Sequence, residues 1–324
     1  MPVGRGGRRP VVEDAPAVCL LGPTATGKTE LAVRLVERLP LAIVSVDSAM
    51  VYRGMDIGTA KPDAETQRRA PHRLIDIRDP EDTYSAGAFV RDARAAMREI
   101  RAAGRVPLLT GGTMMYFRAL TRGLAELPPA DPAVRSAIDR EARRHGWPAL
   151  HRRLAAVDPA AAARIAPNDA QRIQRALEVF EKSGRPISDW QATTSAEPDA
   201  AFLKLGLVAE PRAELARRIA ERFEEMLRRG FVEEVAGLRA RPGLDRDSPS
   251  MRAVGYAQIW DYLDGRATLE EAKRAAVTAT RRLAKRQMTW LRNERDLICH
   301  NVLEGDAFAA IFTAIDADLC AAGV

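Results

Sequence analysis

The sequence contains few cysteines and histidines, and they are widely spaced. Its 324 residues include three cysteines, Cys19, Cys299 and Cys320, and four histidines, none grouped at the spacing of a metal site. Such a cysteine pattern excludes a disulfide-stapled scaffold and is typical of proteins of the reducing cytosol. We therefore expect a cytoplasmic protein.

Long apolar runs are also missing. No stretch approaches the roughly 18 apolar residues of a membrane-spanning helix, and we expect no membrane partner. Residues 1–15 are rich in glycine, arginine and proline and lack the apolar segment of a signal peptide. They are predicted to form a disordered lead-in.

Acidic residues are absent from one long stretch near the C-terminus. Between Ala272 and Asn293 there are seven basic residues and no acidic one, in a chain of net charge +6. Exposed helices ordinarily mix both signs. A long helix of one sign indicates a nucleic-acid-binding surface, and the alternative is a solvated basic face.

The chain does contain a phosphate-binding loop, GPTATGKT, between an apolar run and a helical pattern. Glycines let the backbone curl around an anion, and helix N-terminal amides and the lysine favour a phosphate or diphosphate. The threonine hydroxyl suits Mg²⁺, the predicted cofactor, at Thr29. The predicted diphosphate- or nucleotide-binding residues are Gly22, Pro23, Thr24, Ala25, Thr26, Gly27, Lys28 and Thr29.

Short apolar runs separated by helical patterns predict an α/β fold, a P-loop NTPase-like parallel sheet flanked by helices. The runs are Ala17–Leu21, Leu41–Asp47, His72–Ile77, Val106–Leu109, Phe202–Val208 and Asp296–Cys299. Ligands of such sheets bind beyond the carboxyl ends of the strands, which places Asp47 beside the loop. The alternative for Asp47 is a helix N-cap. The fourth run ends in Thr110-Gly111-Gly112-Thr113 rather than in a carboxylate, which suits substrate contact; the alternative is a simple turn.

Residues 127–199 show little strand signal and predict an all-α insertion domain, within a core of residues 16–126 and 200–324. Asp131 and Asn168 are candidate N-caps, and Ser183-Gly184 is a candidate helix stop. Further helices are predicted at 85–103, 212–229, 231–240, 251–264, 268–292 and 307–319.

Six segments in this order resemble the tRNA dimethylallyltransferases, also called tRNA isopentenyltransferases. They are GPTATGKT, DSAMVYRGMDIGTAKP, PLLTGGTMMYFRAL, RIAPNDAQRIQRALEVFEKSGRPIS, SMRAVGYAQIW and TRRLAKRQMTWLR, within about Val18 to Arg295. The resemblance implies transfer of a dimethylallyl group from dimethylallyl diphosphate to the exocyclic amine of adenosine 37, beside the anticodon. It also implies a Mg²⁺-dependent enzyme whose helical insertion grips the tRNA anticodon stem-loop. We expect a monomer, because one tRNA wraps one active site.

The resemblance also implies roles for single residues. Asp47 corresponds to the family's general base and Thr113 to a threonine of the reaction channel. Met50 and Ala257 depart from the family, which commonly has Gln and Arg there. The implied tRNA-contacting positions are Asp47, Ser48, Ala49, Met50, Thr113, Arg135, Gln171, Arg172, Ile173, Gln174, Arg175, Arg252, Ala253, Val254, Gly255, Tyr256, Ala257, Lys285, Arg286, Gln287, Met288, Thr289, Trp290, Leu291 and Arg292.

Three other functions use the same loop. One is an ATP-dependent small-molecule kinase, for which the basic helix would be incidental. Another is an adenylate isopentenyltransferase that prenylates free nucleotides, for which the basic helices would be superfluous. The third is an RNA-binding NTPase switch without transfer chemistry.

Overall fold

The structure is a computed structural model that describes residues 16–193 and 201–324. The predicted lead-in, residues 1–15, lies outside the described residues, and so do the last six residues of the predicted insertion, 194–199.

The described residues contain one six-stranded sheet. Its strands are β1 (Ala17–Leu21), β2 (Leu41–Val46), β3 (His72–Arg73), β4 (Val106–Gly111), β5 (Phe202–Val208) and β6 (Leu297–Asn301). Their order is β3-β2-β4-β1-β5-β6, and every neighbouring pair is parallel. The predicted parallel α/β sheet is confirmed.

Fourteen α-helices occur in the described ranges. They are α1 (Lys28–Val36), α2 (Ala64–Arg69), α3 (Ala86–Ala102), α4 (Met114–Arg122), α5 (Pro132–His145), α6 (Trp147–Val157), α7 (Pro159–Ala162), α8 (Ala170–Ser183), α9 (Ile187–Ala192), α10 (Arg212–Arg228), α11 (Phe231–Arg239), α12 (Tyr256–Leu263), α13 (Leu269–Arg292) and α14 (Ala307–Ala321).

Both faces of the sheet are covered, which explains why its central strands are apolar throughout. On β1, Cys19 and Leu21 face one apolar cluster, which contains side chains of α3, α4 and α10–α13. Val18 and Leu20 face the opposite cluster, with α1 and α14. The alternation follows from the two-residue period of a strand.

The long basic helix α13 begins with a capping box. The hydroxyl of Thr268 accepts from the amide of Glu271, and the carboxylate of Glu271 accepts from the amide of Thr268 at 2.8 Å. This exchange satisfies two amides at the helix start and fixes where the helix begins.

Three local predictions were wrong. Strand β3 is only His72–Arg73, because Leu74 and Asp76 have φ of 66° and 56°, which are incompatible with continued strand. The helix expected at 251–264 begins at Tyr256, since Gly255, at φ 96°, precedes it. The N-cap of α8 is Asp169 rather than Asn168, with its carboxylate accepting from the amide of Arg172 at 3.2 Å.

The chain divides into two compact units. One contains the sheet and its helices, and the other is the segment Arg122–Pro198. In the described part of the second unit all regular elements from α5 to α9 are helices, around a core of their own. That core includes Ile138, Leu150, Leu154, Ile173 and Leu177.

Candidate active site

Three neighbouring strands carry the predicted catalytic residues at their carboxyl ends. Strand β1 leads into the phosphate-binding loop, β2 into Asp47, and β4 into Gly112 and Thr113. Because β4 lies between β2 and β1, the Thr113 loop occupies the middle position. The predicted base and the predicted diphosphate site are therefore two strands apart, about 10 Å, on either side of Thr113.

The phosphate-binding loop is curled by backbone conformation and one side-chain bond. Ala25 and Gly27 have φ of 66° and 81°, and the Thr26 hydroxyl donates to the Pro23 carbonyl at 2.9 Å. Gly27 is the N-cap of α1 and offers no side chain to its first amides. These amides are left for an anion, and the helix dipole favours negative charge there.

Two cations lie at this loop. The Lys28 ammonium donates to the Pro23 carbonyl at 2.6 Å, and Arg222 of α10 donates to the Thr24 hydroxyl at 3.2 Å and to the Thr59 carbonyl at 3.3 Å. Burial, with the nearby Arg222 charge, lowers the pKa of Lys28 to about 7, while Asp47 acts in the opposite direction. Burial also lowers the pKa of Arg222, whereas the Asp47 carboxylate acts to raise it.

Arg222 was not among the predicted site residues. Helix α10 carries several arginines, and no motif singles this one out. The available signal is its phase: Leu215, Ile219, Phe223 and Met226 form the buried stripe of α10, and position 222 falls within it. A charged residue on an apolar stripe is a candidate functional residue, because burial of an uncompensated charge is costly.

The Asp47 carboxylate is oriented by the turn that follows it. Its Oδ1 accepts from the amides of Ala49 at 2.8 Å and Met50 at 3.1 Å. It therefore caps a turn rather than a helix, and one oxygen is engaged by this turn. Among the described residues Oδ2 has no hydrogen-bond partner, so a carboxylate oxygen remains for a substrate proton.

Thr113 is tied to the residue after Asp47. Its hydroxyl accepts from the Ser48 amide at 3.0 Å and lies 3.3 Å from the Ser48 hydroxyl. Gly111 allows this approach, because a Cβ there would lie 2.1 Å from the Val46 carbonyl oxygen. The structure thus brings the two predicted catalytic residues into one connected group.

Gln287 was expected on the tRNA surface, but its side chain points into the active site. It is 6% exposed, its Nε2 donates to the Gly112 carbonyl at 2.8 Å, and its Oε1 accepts from the Thr24 amide at 3.1 Å. The residue therefore joins the phosphate-binding loop to the Thr113 loop.

The remaining implied positions of α13 divide by exposure. Lys285, Arg286, Thr289 and Arg292 are exposed, and Trp290 is half-buried. Met288 and Leu291 are buried in the main core, so their side chains pack the helix rather than offer an RNA contact. Arg292 has one acidic neighbour, Glu210, at 3.8 Å.

Most of the 252–257 segment anchors a neighbouring loop. Arg252 is exposed, Ala253 and Val254 are half-buried, and Gly255, Tyr256 and Ala257 are buried. The Tyr256 hydroxyl donates at 2.6 Å to Glu234, whose carboxylate also accepts from three amides of residues 56–58. Tyr256 and Ala257, expected at tRNA, thus lie in the core, where side chains are shielded from a macromolecule.

In the helical unit, two arginines expected at tRNA hold a buried carboxylate. Arg135 bonds both oxygens of Glu178, at 3.0 and 3.2 Å, and Arg175 bonds one at 2.6 Å. Burial acts to raise the pKa of Glu178, but the hydrogen bonds from Arg135, the Asp131 amide and Arg175 outweigh it and lower that pKa. These arginines have a structural role in the unit.

The other implied residues of α8 differ in their surroundings. Gln171 and Arg172 are exposed, with Arg172 3.5 Å from Asp169. Gln174 donates to Asp139 at 2.6 Å, and Ile173 is fully buried. Arg172 is accordingly the most accessible cation of the Gln171–Arg175 stretch.

The residues around Thr29 fit a magnesium ion that arrives with a phosphate ligand. In the described chain no group of three or more His, Cys, Asp or Glu side chains forms a metal cluster. Mg²⁺ commonly takes only one or two protein oxygens and completes its shell with phosphate and water. The half-buried Thr29, second residue of α1, offers such an oxygen at the phosphate-binding loop.

Over residues 16–193 and 201–324, no helix combines the length and the apolar character needed to cross a bilayer. The longest, α13, carries a charge or polar group on most turns.

Comparison with known proteins gives concordant results. A family model described as IPP transferase matches residues 50–294. The tRNA dimethylallyltransferase of Alkalilimnicola ehrlichii is 60% identical over 280 residues, covering 86% of this chain and 88% of the relative. That of Thiobacillus denitrificans is 60% identical over 278 residues, covering 86% and 89%.

Solved structures agree with the fold. The full-length tRNA isopentenylpyrophosphate transferase of Bacillus halodurans is 37% identical, with 96% of this chain and 98% of that chain covered and a TM-score of 0.70. A eukaryotic dimethylallyltransferase described as acting on tRNA has a TM-score of 0.78 over 94% of this chain and 79% of that chain. Its identity is 23%, so it supports the fold alone.

Proposed function

The chain belongs to the IPP transferase family, and we propose that it transfers a dimethylallyl group from dimethylallyl diphosphate to N6 of adenosine 37 in tRNA, releasing diphosphate. The observation that carries the proposal is the placement of the Asp47 carboxylate after β2 and of two cations, Lys28 and Arg222, at the phosphate-binding loop after β1. A carboxylate and a pair of cations, two strands apart at the same edge of the sheet, suit an acceptor that loses a proton and a donor that gains negative charge.

The step needs one bond to form and one to break. The N6 lone pair attacks C1 of the allyl group, the C1–O bond to diphosphate breaks, and N6 loses a proton. The adenine amine is a weak nucleophile because its lone pair is delocalised into the ring. Removal of the proton by the Asp47 carboxylate is worth typically 10²–10⁴-fold.

Diphosphate is the leaving group, and its oxygens become more negative as the C1–O bond lengthens. The amides at the start of α1, Lys28 and Arg222 all lie at the phosphate-binding loop, where they can stabilise that charge. A Mg²⁺ ion bound through the Thr29 hydroxyl would add positive charge at the same oxygens.

Water must not replace the adenine as acceptor. P-loop hydrolases position water with a polar side chain such as Gln, and many carry an acidic residue at the end of a sheet strand. Strand β4 ends here at Gly111 and is followed by Gly112 and Thr113, and the Thr113 hydroxyl is engaged with Ser48. This arrangement favours transfer over hydrolysis of the donor.

The adenosine must leave the stack of the anticodon loop to reach Asp47, at a cost of a few kcal/mol. Exposed cations of α13, Lys285, Arg286 and Arg292, can offset this through contacts to phosphates. We expect the enzyme to act as a monomer in the cytoplasm, with Mg²⁺ and one tRNA per chain.

The test is nucleoside mass spectrometry of unmodified tRNA incubated with the enzyme, Mg²⁺ and dimethylallyl diphosphate. The expected product is a prenylated adenosine mapped beside the anticodon. Prenylation of added AMP but not of tRNA would overturn the acceptor and favour a free-nucleotide transferase. Inactivity with both, together with ATP turnover, would overturn the donor.

A further inference from the structure

Gln287 stands apart from the other polar side chains of its helix. Within residues 281–292 of α13, every other polar side chain is at least partly exposed, and most are basic. Gln287 is buried and lies in phase with the apolar residues Ala284, Met288 and Leu291. The RNA-facing helix thus sends one amide group inward to the active site.

Both ends of that amide are occupied by backbone groups of different loops. The Thr24 amide of the phosphate-binding loop can only donate, so it faces Oε1 at 3.1 Å. The Gly112 carbonyl can only accept, so it faces Nε2 at 2.8 Å. These partners fix the orientation of the amide, because the reverse orientation would break both bonds.

The Gln287 amide lies close against the backbone of Gly112. A Cβ at this position would lie 2.5 Å from Nε2 of Gln287. The backbone of Gly112 has no left-handed φ, so the glycine serves the close approach of Gln287 rather than an unusual turn. The position of α13 is thereby tied to the loop that carries Thr113.

We propose that Gln287 is a positioning residue that couples tRNA binding on α13 to the alignment of the phosphate-binding loop with the Thr113–Asp47 group. Its bonds connect the helix to Thr24 on one side and to Gly112 on the other. Thr113, the next residue, holds the Ser48 amide beside Asp47. This proposal rests on the proposed function, since it assigns the coupling to the donor and acceptor of that reaction.

Coupling of this kind has a thermodynamic signature. If RNA contacts settle α13 in the position seen here, tRNA must raise the affinity for diphosphate, and diphosphate must raise the affinity for tRNA by the same factor. Typical coupling factors are about 5- to 150-fold. Loss of the Gln287 bridge removes the factor without removing either binding surface.

The variant Gln287→Met keeps the length of the side chain and loses both hydrogen bonds. We expect kcat for tRNA prenylation to fall roughly 100-fold, because misplacing reacting groups by about 1 Å costs that much. The Kd for tRNA alone should change less than about threefold, since the exposed cations remain, whereas tRNA should no longer tighten diphosphate binding. Steady-state kinetics of tRNA prenylation measure kcat. Titration calorimetry measures the Kd for tRNA and, with and without tRNA present, the Kd for pyrophosphate.

Thr280→Val on the same helix is the matched control. The Thr280 hydroxyl is partly buried and donates to the Ala276 carbonyl within α13, away from either loop. This variant should retain wild-type kcat and coupling. An equal loss in Thr280→Val and Gln287→Met would attribute the effect to the helix as a whole and overturn the proposal.

A double-mutant cycle addresses the case in which Gln287→Met folds poorly. Gly112→Ala should reduce kcat in the wild-type background by displacing the Gln287 amide, and should add little to Gln287→Ala, where the obstructing side chain is gone. Additive losses would overturn the proposal.

A wild-type enzyme that does not prenylate tRNA would instead refute the proposed function. A wild-type enzyme that prenylates tRNA, with Gln287 variants of unchanged kcat and coupling, would refute only the coupling.

Discussion

At the scale of single residues, the site is built from backbone groups positioned by a few side chains. Asp47 accepts from a backbone amide of its own turn, and Thr113 and Gln287 each accept from a backbone amide of a neighbouring loop. Substitutions at such positions act both on chemistry and on loop geometry, so the choice of replacement decides what is measured.

For Asp47 the informative change is Asp47→Asn. An asparagine keeps Oδ1 as acceptor for the Ala49 and Met50 amides and loses the basic carboxylate. We expect kcat to fall roughly 10²- to 10⁴-fold with tRNA binding and thermal stability close to wild type. Single-turnover kinetics, filter binding and a melting curve measure the three. Asp47→Ala, which also loses the turn, should be equally inactive; wild-type turnover in either variant would refute the general base.

For Lys28 the prediction concerns pH. Its pKa is lowered to about 7 in the donor-free site, so above pH 7 the ammonium loses its proton. A bound diphosphate favours the charged form, and binding above pH 7 must therefore take up a proton. The Kd for dimethylallyl diphosphate should rise with pH above 7, by up to about tenfold per unit.

Calorimetry from pH 6 to 9 measures this dependence. The control is Lys28→Met, whose affinity for dimethylallyl diphosphate should be weaker at every pH. The slope of log Kd against pH should then reflect only the ionisation of the donor itself. The same slope in both proteins would place the titrating proton on the donor rather than on Lys28.

At the scale of elements, helix α13 combines an inner and an outer role. Its exposed side supplies cations, and its buried side supplies Gln287 and core residues. The sequence KRQMTWLR predicted the helix and its charge, while the apolar stripe Ala284, Met288, Leu291 contained the information that Gln287 faces inward. The surrounding basic residues pointed instead to an exposed position for Gln287.

The outer role is tested by neutralising Lys285 and Arg292 to Gln together. Each lost phosphate contact should reduce the slope of log K against log salt by roughly 0.7–0.9. tRNA filter binding across a salt series measures the slope. Arg91→Gln with Arg98→Gln, two exposed cations of α3, is the matched control and should leave the slope unchanged. An unchanged slope in the α13 variant would show that the exposed basic side of α13 is a solvated face and not a tRNA-binding surface.

Two glycine-to-alanine substitutions test how closely α11 and α12 pack against the loop of residues 56–58. A Cβ at Gly58 would lie 2.1 Å from the Phe231 ring, so Gly58→Ala should destabilise by about 1–3 kcal/mol. Gly237→Ala in α11 meets nothing within 4 Å and should stabilise by about 0.5–1 kcal/mol. Urea midpoints measure both. Equal shifts of the same sign would contradict the close contact.

At the scale of the whole molecule, the sequence predicted what depends on local pattern. The phosphate-binding loop, Asp47 and Thr113 follow strands whose apolar runs are evident. The partners that complete the site, Arg222, Glu234 and Gln287, come from helices up to 263 residues away in sequence from their contacts. Local periodicity can show that Arg222 and Gln287 face inward, but it does not show which loops they contact, and only the folded chain reveals those partners.

The complex with tRNA is also a property of the whole molecule. We expect light scattering to give one chain of 35.5 kDa free in solution, and one chain with one tRNA when bound. The reason is that the Lys28, Arg222 and Asp47 group is complete within a single chain. A dimer that dissociates into inactive monomers would contradict this expectation.

The strand order has a consequence for synthesis on the ribosome. The central strand β1 is made first, yet its two neighbours, β4 and β5, end about 90 and 190 residues later. Until residue 208 has emerged, β1 presents at least one unpaired edge. The phosphate-binding loop gains its contacts with Arg222 and Gln287 later still. The nascent chain is consequently most exposed to mispairing while the helical unit is being translated, and its catalytic centre is completed only after α13 has been made and contributes Gln287.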